Sequence, residues 1–169
     1  MHLEFIPMGR TGDKNMLRID GARITFRNFE GRGDKFNAPG KRNFAVIVDD
    51  DEIKDALMED RNEYGVGWNV KIKPPREDGE DPFMFLKVNV KFNDRGPAVY
   101  LQTGNVMNKL DEDSIDILDQ IPIAYVDLDI RPYDDESASG PFRAAYLQSM
   151  KVVQDLSGDR FASQYAGRD

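Results

Sequence analysis

Hydrophobic and polar residues alternate along several short segments of the chain, and the clearest case is Phe83–Phe92, Phe-Met-Phe-Leu-Lys-Val-Asn-Val-Lys-Phe. Successive side chains of a β-strand point to opposite faces of its sheet. The even positions of this segment are all apolar and are predicted to face a core. The odd positions put aromatic rings and ammonium groups on the opposite face: Phe83, Phe85, Lys87, Asn89 and Lys91.

The same alternation predicts further strands between turn signals, at 22–27, 44–48, 68–73, 98–103, 124–133 and 142–153. Two segments have helical spacing instead, 51–60 and 111–121, and each opens on acidic residues that suit a helix N-terminus. Gly21 lies where a bulge could bend the first strand. About seven strands with two short inserted helices indicate a mainly β fold, an antiparallel barrel of OB type.

The 169 residues are enough for one domain with a sizeable core. Residues 1–16 are predicted to be a flexible N-terminal arm, 17–155 the barrel domain and 156–169 a short C-terminal segment. The chain has no cysteine and one histidine, His2, so we expect no disulfide, no metal site and no cofactor. No apolar run approaches the roughly 20 residues of a membrane span, and we expect no membrane association.

The net charge of −8 is distributed unevenly along the chain. Residues 23–42 contain six basic and two acidic side chains, whereas 111–136 contain ten acidic side chains and a single arginine. This asymmetry indicates one cationic face and an anionic remainder, although ordinary solvated surfaces would give the same counts.

Basic and aromatic residues recur opposite the apolar face of four predicted strands. Aromatic rings stack on bases, and Lys and Arg neutralise phosphates, so such faces favour single-stranded nucleic acid over plain solvent. The strand residues predicted to contact DNA are Arg23, Arg27, Lys71, Lys73, Phe83, Phe85, Lys87, Lys91 and Tyr100, with Arg131 and Tyr133 as weaker additions on an otherwise acidic strand.

The loop at 31–43 is the second candidate, since mobile basic loops close over single strands in barrels of this type. Its predicted contacts are Lys35, Phe36, Lys41 and Arg42. A solubilising hairpin tip with Phe36 tucked inward is the alternative.

Two other features point away from the binding face. Trp68 shares a strand face with Val70 and Ile72, which predicts a core position. Asp127 and Asp129 lie two residues apart on one strand face and could share a divalent cation, as in nucleases, but no histidine accompanies them. We therefore expect no catalytic residue and no enzyme activity.

Several phrases of the sequence resemble the OB-fold single-stranded-DNA-binding proteins of tailed bacteriophages. They are Arg-Ile-Thr-Phe-Arg-Asn-Phe (23–29), Arg-Asn-Phe (42–44), Gly-Trp-Asn-Val-Lys (67–71), Lys-Val-Asn-Val-Lys-Phe (87–92), Leu-Asp-Glu-Asp-Ser-Ile (110–115) and Val-Asp-Leu-Asp-Ile-Arg-Pro-Tyr (126–133). The resemblance implies a protein of the host cytoplasm that coats exposed strands during phage DNA replication or recombination, with little sequence preference, and recruits replication or recombination proteins.

Proteins of this family often carry a very acidic C-terminal tail that contacts partners. Here 155–169 holds three acidic and two arginine residues. This departure weakens the expectation that the tail recruits partner proteins or supports dimerisation, and we expect a monomer or weak homodimer. Three rival hypotheses stay open: an acidic DNA mimic or protein-binding module that inhibits a host enzyme, a metal-dependent nuclease using Asp127 and Asp129, and a virion structural protein.

Overall fold

The computed structural model describes residues 1–9 and 14–158 and shows a mainly β protein, as predicted. Its elements in chain order are β1 (His2–Met8), β2 (Lys14–Ala22), β3 (Ile24–Asn28), β4 (Arg42–Val48), α1 (Asp51–Glu59), β5 (Val70–Lys73), β6 (Phe83–Val90), β7 (Ala98–Thr103), β8 (Val106–Leu110), a 3₁₀ helix (Ile115–Asp119), β9 (Ile123–Ser137) and β10 (Gly140–Gln154). The described residues thus hold ten strands where about seven were expected.

The strands form one sheet whose main path runs β1-β2-β9-β10-β6-β4-β3, with β5 on β6 and a β7–β8 hairpin on β10. Neighbours are antiparallel except that β10 runs parallel to β6 and to β7. The hydrogen-bonded path is not closed. However, β2 pairs with β9, β3 pairs with β4, and only Arg23 separates β2 from β3. The sheet therefore curls back on itself through one bent strand.

Two irregularities bend that strand on either side of Arg23. The pairing of β2 with β9 shifts register between Ile19 and Ala22, where Gly21 has φ +69°. The pairing of β3 with β4 shifts between Thr25 and Asn28, where Phe26 has φ +50°. Each shift adds a residue to one strand, increases its twist and reverses the inward and outward positions beyond it. The bulge expected at Gly21 is thus confirmed, whereas the second one breaks the predicted alternation.

The apolar core lies between the curled layers of the sheet. Trp68 is 2% exposed and belongs to this core, as predicted. Its indole Nε1 donates a hydrogen bond to Asp60 Oδ2 at 2.9 Å, which satisfies the one polar atom that the ring buries. The even positions of β6 are also in the core: Met84, Leu86, Val88 and Val90.

The two helical segments have different outcomes. Helix α1 forms where predicted, and the side chain of Asp50 caps it by accepting from Ile53 N at 2.7 Å. The second predicted helix, 111–121, contracts to the 3₁₀ helix. Asp111 Oδ1 accepts from the backbone N–H of Asp113 and Ser114, and this local turn competes with a continuous helix.

The prediction of a flexible arm at 1–16 is wrong for the part of it that the structure describes. Residues 2–8 form β1, which pairs with β2 in continuous register from His2↔Asp20 to Met8↔Lys14. Met1, Leu3 and Phe5 pack against the core, and burial of this apolar face holds the strand in place. Most of the predicted C-terminal segment, 156–169, lies outside the described residues. Within 1–9 and 14–158, no helix is long and apolar enough to cross a membrane.

Arg27 ties the bent strand to the 3₁₀ helix. We expected it to face outward, but the second register shift turns it toward the protein. Its Nη1 donates to Leu118 O at 2.8 Å and to Ile121 O at 2.6 Å. These carbonyls belong to the end of the 3₁₀ helix and the turn after it, so the arginine satisfies acceptors that the short helix leaves free.

Replacing this anchor should destabilise the protein. Two charge-assisted hydrogen bonds are lost in Arg27→Met, and we expect the free energy of unfolding to fall by about 2–4 kcal/mol. Urea denaturation measures it. Arg23→Met is the matched control, because Arg23 is exposed and should shift the value by no more than about 0.5 kcal/mol. Equal stabilities of the two variants would contradict an anchoring role.

Candidate nucleic-acid interface

Three phenylalanine rings meet on the side of the sheet opposite the core. We call Phe26, Phe83 and Phe85 the outer aromatic cluster. The ring centroids of Phe26 and Phe85 are 5.3 Å apart, those of Phe83 and Phe85 5.7 Å and those of Phe26 and Phe83 6.1 Å. Both contacts of Phe26 are edge-to-face. Phe26 is 53% exposed and Phe83 36%, so the cluster offers two partly exposed rings to solvent.

Lys73 caps this cluster from the neighbouring strand. It is in register with Phe83 across the β5–β6 pair, and its Nζ lies 5.1 Å from the Phe26 ring centroid and 5.7 Å from that of Phe85. An ammonium over a ring face is attracted by the ring quadrupole. The structure thus brings a cation and stacking surfaces together, the combination expected for this strand.

Phe85 occupies a different position from the exposed one that we predicted. It is only 9% exposed, yet it is not part of the core cluster. The predicted face is correct, but Phe26 and Lys73 cover the ring. Phe85 therefore supports the exposed rings. Its removal would lower the stability of the protein and would also remove the support beneath Phe26 and Phe83.

Strict alternation along the predicted strand 22–27 places Phe26 on the inward face with Ala22 and Ile24, so the sequence pattern misses it as a binding residue. Its φ of +50° is uncommon for a bulky residue and accompanies the second register shift. A bulge within a five-residue strand leaves no trace in the alternation of apolar residues, so the pattern could not have revealed it. Strained backbone of this kind persists only where surrounding structure imposes it.

A second group of aromatic residues lies on the β9–β10 hairpin. We call Tyr133, Phe142 and Tyr146 the hairpin aromatic group. The Tyr133 centroid lies 6.3 Å from that of Phe142 and 6.1 Å from that of Tyr146, and the Arg131 guanidinium lies 5.8 Å from the Tyr146 ring. A hydrogen bond from the Tyr133 hydroxyl to Asp135 raises the pKa of Tyr133. Sequence reasoning found Arg131 and Tyr133 but missed Phe142 and Tyr146, although their spacing of four in a strand placed them on one face.

Two depressions run beside the hairpin aromatic group, and the first is lined by Lys71, which is in register with Phe85 of the outer aromatic cluster. Strands β5 and β10 pair with successive stretches of β6, and Asn89 of β6 is in register with Tyr146 of β10. Asn89 Nδ2 donates to Ala145 O at 3.2 Å. The depression between β5 and β10 is lined by Lys71, Lys87, Asn89, Phe142 and Ala144, and a second one continues it along Lys41, Asn89, Lys91 and Tyr146. We call these two depressions the outer groove.

The loop between β3 and β4 stands at the end of this groove. Phe36 at its tip is 90% exposed, and Lys35 Nζ lies 5.6 Å from the ring centroid, so the inward alternative for Phe36 is wrong. Arg42 is more constrained than predicted. Its Nε donates to Phe29 O at 2.9 Å, and its Nη1 pairs with Glu112 at 3.7 Å. Lys41 is exposed beside it.

Three predicted residues are not part of this assembly. Arg27 anchors the 3₁₀ helix, as described above. Arg23 lines a separate depression with Asp49, Asp50 and Asp81, which Phe83 also lines. Tyr100 lies beside Asp20, Asp127 and Asp129 and aligns with Lys151 across the β7–β10 pair. Its strand faces another part of the surface because β7 pairs with the far end of β10.

Carboxylates of the acidic stretch, residues 111–136, form hydrogen bonds and ion pairs with other parts of the protein. Asp127 accepts from Gly21 N at 2.8 Å and pairs with Lys151, and Asp129 holds Arg18 through two hydrogen bonds of 3.0 and 3.2 Å. The Asp129 contact raises the pKa of Arg18. Among residues 1–9 and 14–158, no three Asp, Glu or His side chains are grouped as metal ligands would be. Asp127 and Asp129 are therefore structural acceptors in this fold.

The chain is similar to known phage proteins in sequence and in fold. A sequence model of the phage ssDNA-binding domain matches residues 10–167. The single-stranded DNA-binding protein from bacteriophage Enc34 has a similar fold, with a TM-score of 0.53 and 16% identity over 96% of this chain and 99% of that chain. The same protein in complex with ssDNA gives a TM-score of 0.50 and 15% identity over 90% and 96% of the two chains. No curated protein sequence matches.

The exposed rings supply a direct test of the interface. We expect Phe26→Ala to raise the Kd for a single strand about 5-fold to 150-fold, because stacking on one ring is worth about 1–3 kcal/mol per base. Fluorescence anisotropy with a labelled oligonucleotide measures the change.

Tyr125→Ala is the matched control for that substitution. Tyr125 is 39% exposed on β9 but is not part of either aromatic group. Its removal should leave the Kd unchanged. A similar loss of affinity in both variants would show that the outer aromatic cluster is not the stacking surface.

Proposed function

The chain belongs to the family of phage ssDNA-binding domains, and from that premise we propose that it coats exposed single strands, holding them in the outer groove. The strand runs from the outer aromatic cluster, past the lysines of β5 and β6, to the hairpin aromatic group. Binding of this kind reads the faces of bases and the charge of phosphates, so it has little sequence preference.

The observation that carries this proposal is the alternation of rings and ammonium groups along one groove. Lys73 caps the outer aromatic cluster, Lys71 and Lys87 line the depression that leads to the hairpin aromatic group, and each of the three is exposed. Consecutive nucleotides present a base and a phosphate in turn, and a surface with both kinds of contact at intervals matches that repeat. Phe36 and Lys41 of the loop add a ring and a cation at the far end.

We infer that the protein acts by binding alone and is not an enzyme. The outer groove holds lysines, rings and amides, and the carboxylates that could serve a nuclease engage Gly21, Arg18 and Lys151 instead. The same engagement argues against an acidic DNA mimic, because a mimic needs carboxylates free on its surface.

The proposed setting is the cytoplasm of an infected host, during phage DNA replication or recombination. Exposed strands arise in both processes and fold into hairpins when left bare. A protein that covers them without reading sequence keeps them open as templates. Contacts with replication or recombination proteins, and a monomeric or weakly homodimeric state, belong to the same proposal.

The deciding experiment is an anisotropy titration of a labelled single strand of about 30 nucleotides, and of its duplex, across a salt series. We expect tight binding to the single strand, weak binding to the duplex and a steep loss of affinity with salt. No binding to the single strand at low salt would overturn the proposed function.

The lysines of the groove should determine the salt dependence. Replacing Lys87 by Gln removes one phosphate contact, so we expect the slope of log K against log salt to become shallower by about 0.7. Lys109→Gln is the control, since Lys109 lies on β8 and is exposed away from the groove. Equal slopes for the two variants would argue against a phosphate contact at Lys87.

A further inference from the structure

The tip of the β9–β10 hairpin extends beyond the rest of the sheet. Strand β2 pairs with β9 up to Ile130, and β6 pairs with β10 at Tyr146. Between these points, residues 132–145 pair only with each other within the described residues, out to Gly140↔Ser137. A two-stranded ribbon is marginally stable by itself. Something other than ladder hydrogen bonds must therefore fix the direction of this hairpin, which carries two rings of the hairpin aromatic group.

A buried ion pair lies on the inner face of the projecting ribbon. Arg143 and Asp134 face each other across it in register, with side-chain exposures of 1% and 0%. Arg143 Nε and Nη2 donate to the two carboxylate oxygens of Asp134 at 2.7 and 3.2 Å. Such a bidentate pair fixes the orientation of both side chains, not only their separation.

The pair is attached to three other segments of the chain. Arg143 Nη1 donates to the backbone carbonyl of Asp60 at 2.7 Å, just after α1, and its guanidinium lies 4.9 Å from the Trp68 ring centroid. Lys14 at the start of β2 approaches Asp134 at 3.4 Å. The side chain of Asp60 in turn accepts from Trp68 Nε1 and from Asn15 Nδ2, both at 2.9 Å.

Electrostatics support the ionised form of this network. Burial by itself would raise the pKa of Asp134, but the hydrogen bonds and charge of Arg143, with Lys14, outweigh it and hold the pKa below its ordinary value. A buried ion pair is often no more stabilising than an apolar replacement of the same volume. What it adds over apolar packing is a fixed direction.

We propose that Arg143 and Asp134 are positioning residues, which lock the projecting hairpin against Asp60 and Trp68 so that Tyr133 and Phe142 form the far wall of the DNA groove. The inference rests on the proposed function. It assigns to a buried network, in which Arg143 reaches the lining of the groove but its side chain is only 1% exposed, the role of setting the distance between the two aromatic groups, and with it the length of strand that the groove holds.

The test is a double-mutant cycle between the network and the rings. One pair of substitutions, Arg143→Met with Asp134→Leu, removes both charges together and leaves Asp60 bonded to Trp68 and Asn15. The other pair, Tyr133→Ala with Phe142→Ala, removes the two rings. We expect each pair to raise the Kd for a single strand at least about 5-fold, and the four substitutions together to raise it no further.

Two results would overturn the positioning role. One is an equal rise in Kd from the network substitutions whether or not the two rings are present. That result would show that the network affects binding independently of Tyr133 and Phe142. The other is an unchanged Kd in the folded network variant. Neither result is confused with failure of the proposed function, because in that case the unsubstituted protein itself would not bind the single strand.

A second variant keeps the inference testable if removal of both charges prevents folding. Arg143→Lys keeps the positive charge and loses the bidentate fork. We expect amide hydrogen exchange to accelerate in residues 131–145 and to stay unchanged in β4 and β6, as local opening of the hairpin requires. Unchanged exchange in the hairpin, or uniform acceleration through the sheet, would overturn the proposal.

Discussion

The fold depends on a single bent strand. Its first half, β2, pairs with β9 and its second half, β3, pairs with β4, with one residue between them. This continuity brings the two ends of the sheet together and encloses the core without a closed ladder of hydrogen bonds. The bulges that allow the bend also set the surface: the second one turns Phe26 out beside Phe85 and turns Arg27 in toward the 3₁₀ helix. The curvature of the sheet and the stacking surface thus have one physical origin.

The bend explains how an acidic protein carries a cationic groove. Bulges leave backbone N–H groups without ladder partners, and such groups need acceptors. Asp127 accepts from Gly21 N at the first irregularity, and Asp119 accepts from the N–H groups of Phe29 and Glu30 just beyond the second. The acidic stretch thus supplies acceptors at positions that the distorted strand creates. Net charge is a poor guide to the partner here, because these carboxylates serve as acceptors for donors within the fold.

Sequence patterning predicts the regular parts of this protein and misses the irregular ones. The alternation of β6, the position of Trp68 in the core and helix α1 are recoverable because burial imposes a strict period on them. Phe26 and Arg27 are assigned to the wrong faces because a single inserted residue reverses parity and leaves no compositional sign. Strand β1 is missed because its alternation is weak, with Ile6, Pro7 and Met8 following one another at its end. Tyr100 is misplaced because its neighbour is the far end of β10, a long-range pairing that periodicity does not encode.

The two walls of the groove are held by different physical means, and the difference follows from what each must do. The outer aromatic cluster lies on the sheet itself, where β4, β5 and β6 fix the backbone, so nondirectional contacts among Phe26, Phe83 and Phe85 suffice to hold the rings. The hairpin wall projects beyond its neighbours, and apolar packing would let a ribbon slide or tilt with little change in buried area. A bidentate ion pair does not tolerate such motion, since a shift of about 1 Å breaks its geometry. Under the proposed function, binding without sequence preference can accept loose contacts with each base, but the spacing of the walls must be constant for every strand. On that proposal, the requirement accounts for a costly buried network at a part of the groove wall that neighbouring strands do not support.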